Sequence, residues 1–192
     1  MERHGWMVTA MWMAASATCL SGQERLAVVL FDSVGIEEQD TKYAVEQAEW
    51  FFQNLGIPTG WTVCRSLASC PMPSEGSFVR VSLVAWTKGT LLGFARMDSA
   101  AGGNPQVYVF EGAVRKAAGK DPFARALACV MVHEILHSLG LEHAPYGIMR
   151  DTVGTQELAR FLKGPAMPGY QLKQLRAGLA RLRPASAVAK GN

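Results

Sequence analysis

The chain has 192 residues, 49% of them hydrophobic and 18% charged, with a formal net charge of +3 at pH 7. That length and composition suit one globular domain with its own core and exclude a disordered chain. The 19 lysines and arginines are scattered, with no block of five or six, so no nucleic-acid surface is expected.

In chain order, the first segment stands apart. Trp6 to Leu20 carries no charge, follows Arg3 and His4, and contains Ala15-Ser16-Ala17, an A-x-A-like site, with Gly22 as a later alternative. This is the pattern of a signal peptide over residues 1–22, which implies a secreted or periplasmic protein. An ordinary apolar first strand or helix is the plainer alternative. The run is too short to cross a bilayer comfortably, and no other stretch is long and apolar enough, so no membrane span is expected in the mature chain.

Residues 23–183 then read as one domain. Leu26–Phe31 (LAVVLF) is a short apolar run expected to form a buried strand. Asp40–Leu55 places Ala44, Ala48, Phe51 or Phe52, and Leu55 on one face of a helix that Gly56 stops. Trp61–Arg65, Phe78–Trp86, Leu91–Met97 and Gln106–Phe110 read as strands, broken by Lys88-Gly89-Thr90 and by the AGGNP loop at 101–105. Asp121 as N-cap and Pro122 at the first helical position start a helix over Phe123–Leu139. Residues 150–168 look irregular. Leu172, Leu175, Leu179 and Leu182 form the stripe of a last amphipathic helix, and 184–192 is expected to be a flexible tail. The predicted order is strand, helix, four strands, helix, irregular segment, helix: an α+β domain.

In an exported chain, Cys64 and Cys70 either close a small loop or stay as two thiols, and the spacing leaves both open. Cys129, on an apolar helix, reads as a buried thiol used in packing.

Three of the four histidines fall in the stretch HEILHSLGLEH. His133 and His137 are one helical turn apart on one face, so both imidazoles can reach one metal ion. Glu134 points about 100° round the helix, within reach of a water at that ion without being a ligand. Gly140 permits the left-handed turn that ends the helix, and the reversed chain brings His143 to the same point. Three protein ligands and an open fourth position characterise a catalytic zinc, which acidifies a water molecule and polarises a carbonyl; Glu134 would be the general base. A lone helical histidine is more often bonded in a core. The chance of all five positions arising by accident in a chain this long is on the order of 10⁻⁵, which disfavours that reading.

HEILHSLGLEH resembles the HExxHxxGxxH signature of the metzincin clan of zinc peptidases. Gly147-Ile148-Met149 is similar to the Met-turn of that clan, with Met149 as its methionine. The resemblance implies a metzincin-like zincin fold: a twisted, mixed five-stranded sheet with an active-site helix, the Met-turn and a C-terminal helix. It also implies one catalytic Zn²⁺ and a peptide or protein substrate. LLGFARM is similar to the edge strand along which those enzymes lay an extended substrate, giving Gly93, Phe94 and Ala95 as substrate-binding residues. Tyr146 reads first as a loop aromatic and second as a contact to substrate. Ala144 stands where Ser, Asp or Glu commonly marks a subfamily, and five residues separate His143 from Met149, fewer than in the matrixin-like branch. The nearest branches are matrixin-like or archaemetzincin-like, and no propeptide is expected. The implied function is an exported, monomeric zinc endopeptidase with Glu134 as general base. The alternative is a non-catalytic, zinc-containing peptide-binding module of the same fold, in which Glu134 would have no use.

Overall fold

The computed structural model describes residues 25–73, 77–86, 89–96, 104–152, 154–161, 163–165 and 167–182. The expected leader at 1–22, the tail at 184–192, Lys88 and most of the AGGNP loop lie outside the described residues.

Among the described residues, five strands form one sheet. In chain order they are β1 (Leu26–Asp32), β2 (Thr59–Cys64), β3 (Phe78–Val84), β4 (Gly93–Arg96) and β5 (Gln106–Phe110). In space the order is β2-β1-β3-β5-β4. β1 pairs in parallel with β2 and β3, β3 pairs in parallel with β5, and β4 runs antiparallel along β5 at one edge. The parallel pairs need crossovers, and α1 (Glu38–Asn54) supplies the first, between β1 and β2.

Alternation along β1 divides the protein into two layers. Val28 and Leu30 join the main core, whereas Val29 and Phe31 face the other side in a smaller cluster with Cys64 and Phe78. Cys64 and Cys70 are disulfide-bonded, with Cα atoms 5.4 Å apart, so Cys70 packs against that cluster. Cys129 is a free, buried thiol, and burial pushes its pKa far up. Among the described residues, no helix is long and apolar enough to cross a membrane.

The helix that carries His133, Glu134 and His137 is α3 (Phe123–Ser138). It packs on α1, on α2 (Glu111–Ala118), and on β4 and β5. Thirteen of its 16 residues are buried, so it has no solvent face of the usual kind. His133 and Glu134 are therefore polar groups placed on the wall of a core. Asp121 is not its N-cap as expected. Pro122 holds that position with φ −56° and ψ 127°, and Asp121 instead lies 3.8 Å from Arg125. Two helices were not expected: α2, directly after β5, and α4 (Thr155–Phe161), within the stretch read as irregular. α5 (Gly169–Arg181) carries the leucine stripe, of which Leu175 is buried and Leu172 is partly exposed. The strand expected over Leu91–Met97 is shorter. Leu92 still accepts a backbone hydrogen bond from Phe110 at 2.8 Å, and Met97 lies outside the described residues.

Candidate metal centre

The end of α3 creates the site. Gly140 takes φ +89°, its N–H donates to the carbonyl of His137 at 2.8 Å, and the N–H of Leu141 donates to Leu136 at 3.1 Å. Both bonds satisfy carbonyls of the last turn, and Leu136 and Leu141 are both buried in the main core. The chain thereby reverses just beyond His137.

His133, His137 and His143 come together, with one ligand atom from each lying within 4.8 Å of the others. The ring centres of His133 and His137 are 4.6 Å apart, and those of His137 and His143 also 4.6 Å. His133 is buried, His137 half-buried and His143 exposed, so the cluster opens toward solvent on the His143 side.

Two rings are oriented by backbone. His133 Nδ1 lies 2.7 Å from the carbonyl of Ile148, and His137 Nδ1 lies 2.7 Å from that of Leu141. A carbonyl only accepts, so each Nδ1 donates its proton and each Nε2 keeps a lone pair for the cluster. The two Nε2 atoms are 3.0 Å apart. Burial pushes the His133 pKa down to about 4. The Ile148 carbonyl opposes that shift, and the neighbouring histidines add to it. Burial also lowers the His137 pKa, opposed by Leu141. Neutral imidazoles are the form that binds a metal. A tetrahedral zinc with bonds of 2.0–2.1 Å spaces its nitrogens by about 3.3 Å. The spacing of these rings and their neutral donors fit such an ion.

Glu134 is buried at the neighbouring helical position, and desolvation raises its pKa to about 7. It faces the edge strand: a Cβ built on Gly93 would lie 2.8 Å from Glu134 Cγ and 3.1 Å from Oε1. The structure thus brings Gly93 to Glu134. The ring of Phe94 points to the opposite face and stacks on Tyr108 at 4.7 Å. Ala95 is half-buried opposite Val107.

The turn after His143 is closed by the Ala144 N–H, which donates to the Met149 carbonyl at 2.7 Å, with Gly147 at φ +84°. Met149 is fully buried. Tyr146 is exposed beside a cavity of about 370 Å³ lined by Phe51, Ile148, Glu157 and Phe161.

Sequence reasoning missed the partners that hold this loop. Ile148 and Leu141 act through peptide carbonyls, which carry no side-chain signal. From α5, the buried Gln171 donates to the Glu142 carbonyl at 3.1 Å, and Arg181 donates to Leu139 at 3.1 Å. A polar Gln171 beside the leucine stripe was the only available hint.

No protein-family profile and no curated protein sequence matches the chain. Solved structures do. Archaemetzincin from Methanopyrus kandleri superposes with a TM-score of 0.52 at 17% identity, covering 81% of this chain and 96% of that one. Metalloproteinase-II from Bacteroides fragilis superposes with a TM-score of 0.55 at 14% identity over 84% of this chain, which spans only 54% of that protein. The expected architecture is borne out: the chain has a metzincin-like fold, shared with archaemetzincin, and that fold gathers His133, His137 and His143 into one cluster.

Proposed function

We propose that this chain is an exported zinc-dependent endopeptidase. The observation that carries the reading is the clustering of three imidazoles, two of them oriented by backbone carbonyls, beside a buried carboxylate that faces an edge strand. His133, His137 and His143 would hold the ion. When bound, zinc supplies Lewis acidity and lowers the pKa of a water molecule at its fourth position.

The chain's own groups do the rest. Leu92 bonds to β5, so in the alternating antiparallel ladder the N–H and C=O of Gly93 and Ala95 point away from β5, toward the sheet edge. An extended peptide can pair there as a further strand, which fixes its direction and register. Glu134 accepts a proton from the attacking water and passes it to the amine nitrogen as the peptide bond breaks. The Cys64–Cys70 disulfide supports an oxidising compartment and thus the exported reading.

The test is digestion of a diverse peptide mixture, read by mass spectrometry, with zinc-loaded wild type beside Glu134→Ala. Internal cleavage by wild type alone, with one zinc per chain in both proteins, is the expected result. One zinc per chain without cleavage by either would favour a peptide-binding module. Absence of zinc would remove the reading altogether.

A further inference from the structure

We propose that Gly93 is a positioning residue for the Glu134 carboxylate: the missing side chain is the seat of the catalytic group. The inference rests on the peptidase reading of Glu134.

Glycine weakens a strand, and in a strand it commonly marks a bend, a bulge or a close approach. Gly93 is not among the glycines with positive φ, and it pairs in regular register with Val109, so backbone conformation does not require it. Space does. Its would-be Cβ points inward, 2.7 Å from the Tyr108 carbonyl, 2.8 Å from Glu134 Cγ and 3.1 Å from Glu134 Oε1. The Tyr108 carbonyl belongs to β5, which β3 holds on its far side, so it has no room to withdraw. β4 has no room to lift either, because Leu92 and Phe110 bond just before Gly93. The Tyr108 contact stays whatever side chain stands at 134; the neighbour able to yield is the Glu134 side chain.

Gly93 thus meets two groups at once. Its N–H and C=O point to the edge where a peptide would pair, and its Cα backs onto the carboxylate. The distance between substrate backbone and base is therefore set by one residue without a side chain. His133 and His137 are oriented by the carbonyls of Ile148 and Leu141, neither of which involves Glu134, so displacing Glu134 leaves their supports in place.

The experiment is Gly93→Ala, made alone and in the Glu134→Ala background, with zinc content, thermal unfolding and steady-state kinetics measured on each full-length protein. Gly93→Ala is expected to keep one zinc per chain and to lose about tenfold to a hundredfold in kcat, with KM changed less than about threefold. It should lower the unfolding temperature less in the Glu134→Ala background, where Cγ and the carboxylate are gone. A single variant that fails to fold but is rescued by Glu134→Ala gives the same answer. Equal destabilisation in both backgrounds, or failure of both variants to fold, would assign the glycine to packing against Tyr108 and overturn the proposal. A rise in KM with kcat intact would overturn it as well. If wild type cleaves nothing, the peptidase reading falls, and the unfolding comparison alone decides whether Gly93 seats the carboxylate.

Discussion

Gly140 shows how one residue controls the site. Its φ of +89° costs a residue with a Cβ about 1–2 kcal/mol, and that Cβ would also lie 2.5 Å from Arg181 Nη2. Gly140→Ala is therefore expected to destabilise the protein by about 2 kcal/mol in urea titration, and also to weaken zinc binding, because Leu141 and His143 follow the turn. Destabilisation with unaltered zinc affinity would show that the turn and the ligands are uncoupled. At this scale the sequence was highly legible. Histidines at four-residue spacing on a helix, a glycine and a third histidine leave few arrangements, and the structure brings all three rings together. What could not be read were Ile148, Leu141 and Leu139, since each contributes a carbonyl and any amino acid has one.

Elements hold the site loop between α3 and α5. Gly178 lies against the end of α3 so closely that a Cβ there would be 1.9 Å from the Leu139 carbonyl. Gly178→Val should push α5 off and cost about 3 kcal/mol or more, measured by chemical denaturation. α4 is tied to the segment after Met149 by Arg150, which donates to Glu157 at 2.9 Å. Burial alone would raise the Glu157 pKa, but hydrogen bonds from Arg150 and Gly154 outweigh it and leave the carboxyl below its ordinary 4.5. A carboxyl with a depressed pKa in the folded state stabilises above its unfolded value and loses that contribution as pH falls through the folded one. Glu157→Gln should thus cost about 1.5 kcal/mol at pH 7, low for a charged pair because Arg150 is partly exposed. The gap in unfolding temperature between wild type and variant should close below pH 4.5; a gap constant with pH would remove the ion pair as its cause.

The helices that escaped the sequence reading are the short ones. α2 has 8 residues, and its buried face is Ala113, Val114 and Ala118, too small to give a clear apolar period. The Glu111–Arg115 pair at four-residue spacing was its one local sign. α4 has 7 residues, and among its described side chains only Leu158 and Phe161 are apolar and buried, both within the main core.

At the scale of the whole molecule, the two sheet faces differ in how they are secured. One carries the main core and the helices. The other carries the small cluster of Val29, Phe31, Cys64 and Phe78, stapled by Cys64–Cys70. Replacing both cysteines with serine should cost about 2 kcal/mol by loop entropy. Zinc stoichiometry should stay the same, since the ligands lie on α3 and the loop after it; loss of zinc would show that the two faces are coupled. The strands were readable as short apolar runs before the structure. The spatial order β2-β1-β3-β5-β4 was not, because it depends on crossovers that no local pattern records.

His133 and His137 take their orientation from the peptide carbonyls of Ile148 and Leu141. Such a grip is written in the path of the chain and hardly at all in its letters. A lineage carrying it is free to exchange almost every residue around the histidines, provided each replacement keeps that path. A fold that holds its histidines this way asks little of the sequence around them, and this chain shares its fold with archaemetzincin at 17% identity over 81% of its length.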